Sequence, residues 1–101
     1  GLGGGNPWAS TSSSITVAAN DRYFVDTSAA IKTITLPASP QVGDQVSLVD
    51  LAGTFGTYNL TIGRNSLKIM GLAEDMTVSQ DNAAIQLVYT GATYGWKLTQ
   101  N

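Results

Sequence analysis

The sequence predicts an all-β fold, and three observations carry that prediction. Apolar and polar residues alternate along short stretches, and turn residues interrupt them about every ten positions. Polarity comes from twelve Thr, nine Ser and six Asn rather than from charge: 12% of the 101 residues are Asp, Glu, Lys or Arg, about half the usual share. β-branched Thr suits the solvent face of a strand, whereas helix surfaces favour Glu, Lys and Gln. About eight short strands in this length predict an antiparallel β-sandwich of jelly-roll type.

Residues 1–14 read as a Gly/Ser-rich arm or linker, with four glycines, Asn6-Pro7 and the run Ser10 to Ser14. The opening glycines suggest a flexible connection to an upstream segment, so the chain is expected to be a piece of something longer. Trp8 stands alone in this arm. A large ring there gains by packing on the body or on a neighbouring subunit, which makes Trp8 the candidate inter-subunit anchor.

Residues 15–101 form the expected β-sandwich domain. Ile15-Thr16-Val17 is a short strand ending before the Asn20-Asp21 turn, and Arg22 to Thr27 is a second. In Ile31 to Leu36, Ile34 and Leu36 share one face and Thr33 and Thr35 the other, until Pro37 stops the strand. Gln45 to Leu51 is more continuously apolar and is expected to lie centrally. Tyr58-Leu60-Ile62 and Leu67-Ile69 flank Arg64-Asn65-Ser66, which reads as a tight hairpin with Asn65 at positive φ. Met76-Thr77-Val78 follows the Glu74-Asp75 turn. The final hairpin places Ile85, Leu87 and Tyr89 on one face, turns at Gly91-Ala92-Thr93, and returns with Tyr94, Trp96 and Leu98. Tyr89, Trp96, Leu87, Leu98, Ile34 and Leu36 are the expected core.

Composition excludes several kinds of chemistry. The chain has no Cys and no His, which removes disulfides, thiol nucleophiles, thiolate metal sites and imidazole bases. Five Lys and Arg against seven Asp and Glu give a net charge of −2 with no basic cluster, so no nucleic-acid partner is expected. No apolar run is long enough for a membrane-spanning helix, and no membrane insertion is expected. The acids are scattered rather than paired. Asp44 and Asp50 stand at opposite ends of one strand, and Asp21, Asp44, Asp75 and Asp81 fall where a carboxylate can accept backbone N–H groups in turns. No Asp-x-Asp-x-Asp-Gly calcium loop and no Gly-Lys-Ser/Thr phosphate loop occurs. No catalytic, cofactor or metal residue is assigned, and the chain is not expected to be an enzyme. Phe55, Tyr58 and Tyr94 are the candidate aromatic contacts to a glycan or receptor.

The stretches Asp21 to Ser28, Thr33 to Pro40 and Gly43 to Val46 resemble a domain of tail-fibre and related virion structural proteins of tailed bacteriophages. The likeness continues through Asp50 to Phe55, Asn59 to Asn65, Gly71 to Asp75, Leu87 to Tyr89 and Gly95-Trp96, covering roughly residues 20–98. The resemblance implies a structural or adhesion module of a virion appendage, commonly a homotrimer, whose partners are sister subunits, other virion proteins and a host surface glycan or protein receptor. Two alternatives accompany it: a capsid decoration (head-stabilising or head-fibre) protein, and a carbohydrate-binding module. The expected location is the virion, at a tail fibre or the capsid surface.

Overall fold

The computed structural model describes residues 5–100. Among them lie nine strands and no helix: β1 (Trp8–Thr11), β2 (Ile15–Thr16), β3 (Arg22–Val25), β4 (Lys32–Thr35), β5 (Gln45–Asp50), β6 (Leu60–Gly63), β7 (Met76–Val78), β8 (Ala84–Tyr89) and β9 (Trp96–Gln100). They form two mixed sheets, a five-stranded one in the order β1-β3-β5-β8-β9 and a four-stranded one in the order β2-β4-β6-β7.

Through β6 the chain changes sheet at every connection. A strand that crosses to the other sheet and returns points in its original direction, so β1, β3 and β5 run parallel, as do β2, β4 and β6. The antiparallel pairing expected throughout is therefore corrected: it holds only for β5–β8–β9 and β6–β7. Period-2 alternation looks the same in either kind of ladder. A turn such as Asn20-Asp21 also serves a crossover as well as a hairpin.

Two local expectations change for related reasons. Residues 8–11, assigned to an arm before residue 15, are a strand of the body, with Trp8 opposite Arg22 and Thr11 opposite Val25. The hairpin expected across residues 64–66 does not form. Asn65 does take positive φ (52°), Ser66 follows at 71° and Leu67 N–H donates to Arg64 O at 3.1 Å, so the tight turn itself is made, but the segment after it does not pair with β6. Leu67–Ile69 is drawn instead to β9, where Trp96 N–H donates to Lys68 O at 2.9 Å and Met70 N–H to Trp96 O at 2.7 Å. The partner of β6 is β7.

Both sheets contribute to one core. Val25, Val46, Leu48, Leu87 and Trp96 come from the five-stranded sheet, and Ile34, Leu60 and Ile62 from the other. Of the expected core, Ile34, Leu36, Leu87, Tyr89 and Trp96 are buried and Leu98 partly so. Each fully buried aliphatic contributes about 1.5–3 kcal/mol relative to exposure. As expected from its apolar run, β5 is the middle strand of its sheet. Trp96 is fully buried against Tyr89 at a centroid distance of 5.3 Å, and its indole N–H has no acceptor among the described residues.

The turns are held by aspartates. Asp75 and Asp81 reach across to other segments, accepting from Arg64 N–H at 2.9 Å and Gly56 N–H at 2.7 Å, whereas Asp21 and Asp44 hold their own turns as their positions predict, accepting from Ala18 N–H at 2.7 Å and Gln41 N–H at 2.8 Å. Asp26 does the same for Ser28, whose hydroxyl and N–H hold the Asp26 carboxyl below its usual pKa. Asp50 carries the largest share. Its Oδ1 accepts from Gly53 and Thr54, and its Oδ2 from Phe55 and from Asn82, at 2.9–3.2 Å. One buried carboxylate thus ends β5, shapes the loop after it and fixes the turn before β8.

Two substitutions test this framework. Asp50→Ala leaves four N–H groups without their acceptor in a site only 5% exposed, and denaturant unfolding should show a loss of roughly 3 kcal/mol or more. Gly95→Ala should cost about 2–4 kcal/mol. Gly95 sits at φ +73°, and a Cβ there would lie 1.9 Å from Lys68 O. A loss under about 1 kcal/mol in either variant would show that the segment relaxes at little cost.

Candidate functional site

The three aromatic contact candidates do not form one site. Phe55 is 1% exposed and belongs to the core, because the backbone N–H groups of residues 53–55 are gathered onto Asp50 and this pulls the ring inward. Its expected place on the surface is corrected. Tyr58 is 38% exposed in the turn closed by its N–H on Thr54 O, at the Asp50 end of β5. Tyr94 is 62% exposed in the β8–β9 turn, at the opposite end of the sheet. Its surroundings are apolar. Its ring would contact a Cβ at Gly71, next to the exposed Met70 and Leu72, and exposed Val42 lies beside Gly91 in the same turn. Lys97 Nζ lies 5.9 Å from the Tyr94 ring centroid.

Trp8 is placed by its strand. In β3, Val25 points into the core, so Arg22 and Phe24 face outward, and the parallel register brings Trp8 onto the same outer face. Phe24 stacks on Trp8 with centroids 4.7 Å apart and planes 9° from parallel, and the Arg22 guanidinium lies 5.3 Å from the Trp8 ring centroid. Trp8 therefore anchors on its own chain, with 40% of its surface still open.

Beside this ridge the middle strands carry small side chains, and the outer face sinks into a trough. A depression of about 250 Å³ is lined by Trp8, Arg22, Ser47, Val49, Ala84 and Gln86. A second, of about 200 Å³, shares Arg22, Ser47 and Gln86 with the first and adds Asn20, Asp21 and Gln45. Trp8, Arg22, Ser47 and Gln86 stand in one cross-strand row, which the registers of β1, β3, β5 and β8 align.

The polar groups of the row are held in fixed orientations. Gln86 Nε2 donates to Gln45 Oε1 at 3.1 Å and to Ser47 Oγ at 3.3 Å, while Thr99 Oγ1 donates to Gln86 Oε1 at 2.8 Å. Arg22 Nε donates to Asn6 O at 2.7 Å. The chain must pass close for that bond. A Cβ at Gly5 would lie 2.9 Å from Asn20 O and 3.0 Å from Arg22 Nε. The terminal nitrogens of Arg22 donate to no acceptor among the described residues.

Sequence reasoning missed this trough. The outward phase of Arg22 and Phe24 was readable from Val25, but the row exists only through the parallel register of distant strands. No group of three or more acidic side chains is gathered for a metal among the described residues. Comparison with protein-family models and with curated proteins finds no match.

The geometry separates the two exposed aromatics energetically. Trp8→Ala removes a stacked pair and should cost about 1–2 kcal/mol in denaturant unfolding. Tyr94→Ala should stay within about 0.5 kcal/mol. Equal losses would mean that the Trp8–Phe24 stack does not fasten β1.

Proposed function

We propose that this chain is a non-enzymatic structural and adhesion domain of a bacteriophage virion appendage, a tail fibre, which assembles as a homotrimer with its surface turned to a host glycan or protein receptor. Its two sheets, sharing one core, serve as the layers of a sandwich-like module. The observation that carries this reading is the use made of the acids. All six aspartates hold backbone N–H groups in turns or at strand ends, so the side chains best suited to chemistry maintain the shape instead. The likeness of residues 20–98 to tail-fibre and related virion domains supports the same assignment.

Assembly is supported by the end of the molecule around Tyr94. Val42, Tyr94 and Leu72 are 73%, 62% and 57% exposed there, and the chain has a net charge of only −2 to oppose association. Cover by sister subunits would remove this apolar surface from water. Trp8, already stacked on Phe24, offers its open side as a second contact between subunits.

Light scattering on the purified chain tests the assembly: the expected mass is three times 10.5 kDa. A stable monomer at micromolar concentration would overturn the trimer. Binding to purified empty capsids would replace the fibre assignment with capsid decoration.

A further inference from the structure

We infer that the trough on the outer face of the five-stranded sheet binds an acidic saccharide, with the sugar carboxylate on Arg22. The inference rests on the adhesion reading and gives it a ligand class. Arg22 is the one charged side chain lining the larger depression, and its terminal nitrogens are without an acceptor among the described residues. A guanidinium fixed through Nε keeps its fork-shaped pair of terminal donors for a planar carboxylate, which it meets through two parallel hydrogen bonds. Its contact with Trp8 limits the rotation of the side chain, so little further ordering is needed on binding.

The rest of the trough suits a sugar. Val49, Ala84 and Trp8 give apolar surface on which ring C–H groups can rest. Gln86, Gln45 and Ser47 present amide and hydroxyl groups already oriented by one another, an arrangement suited to adjacent sugar hydroxyls. Each depression alone is smaller than the roughly 300 Å³ at which small-molecule sites usually begin. Their three shared lining residues set them side by side on the same face.

Asp21 fixes the direction of the ligand. It lines only the second depression, and its two oxygens already accept from Asn6 Nδ2 at 2.8 Å and Ala18 N–H at 2.7 Å. A carboxylate is repelled from that end, so it lies on the Trp8 side of Arg22. The hydroxyl groups of the next sugar then fall against Asn20 and Gln45.

The test is titration of the full chain, followed by two-dimensional amide NMR, with a trimer of galacturonic acid, its carboxyl-reduced counterpart and free acetate. The galacturonate should shift the Trp8 indole N–H and the Gln86 side-chain amide. It should also bind at least about tenfold more tightly than the reduced sugar, the factor expected from losing a charged hydrogen bond. Arg22→Gln should abolish this preference. Ala84→Leu, a change at an exposed position, should block binding of either sugar while leaving the remaining spectrum unchanged. Equal affinity for acidic and reduced sugars, acetate binding as tightly as the trisaccharide, or shifts unaffected by Ala84→Leu would each overturn the inference. Light scattering on the same samples separates the two readings. A trimer that ignores the sugars removes this inference alone, and a monomer that binds the acidic sugar removes the trimer alone.

Discussion

The carboxylate of Asp50 is the constraint on which the rest of this small protein depends. It terminates the central strand of the larger sheet, and the backbone N–H groups it collects come from two segments separated by almost thirty residues. One of these, the loop after β5, puts Phe55 into the core. The other, the turn at Asn82, delivers β8 alongside β5. Satisfying several buried donors with one charged acceptor is favourable where each of them alone would be costly to bury. The middle of the sheet and the crossing to β6 are thus set by the same group.

Much of this was legible in the sequence where the signal is local. Most strand positions after residue 14, the buried phase of Ile34, Leu36, Leu87 and Trp96, the central place of β5 and the turn roles of Asp21 and Asp44 follow from spacing. Pairing direction was not legible, because a strand reads the same whether its neighbour runs with it or against it. The misplaced hairpin at residues 64–66 has a similar origin. Asn65 signals a reversal, but the sequence does not show that Trp96, thirty residues later, takes the strand-like segment that follows. Phe55 misled for a related reason: flanking glycines suggest an exposed loop, and the carboxylate that draws the ring inward lies five residues upstream.

The outer face of the five-stranded sheet shows how parallel register creates a surface that no short motif encodes. Trp8, Arg22, Ser47 and Gln86 span most of the chain, and only the alignment of four strands places them in one row. Large side chains at the β1–β3 side and small ones on β5 and β8 then make relief out of a flat ladder. The Tyr94 end differs in kind. It is built from turns, it is apolar, and its exposed side chains are adjacent without being ordered by a shared sheet. The molecule thus separates a sheet face of mixed aromatic and polar side chains from an apolar tip built of turns.

The pairing order also bears on how the chain is made. β5 carries four buried positions and waits for β8, which is synthesised more than thirty residues later. Until β8 leaves the ribosome, the central strand has one open edge and the Asp50 carboxylate lacks its donor from Asn82. Parallel, non-local pairing of the kind that joins β1, β3 and β5 is intrinsically slow to form and exposed to association while it is incomplete. The β8–β9 hairpin, the most local pairing in the protein, closes that edge last. Codon choice or pausing before residue 84 would set how long nascent copies on one message expose matching edges to each other.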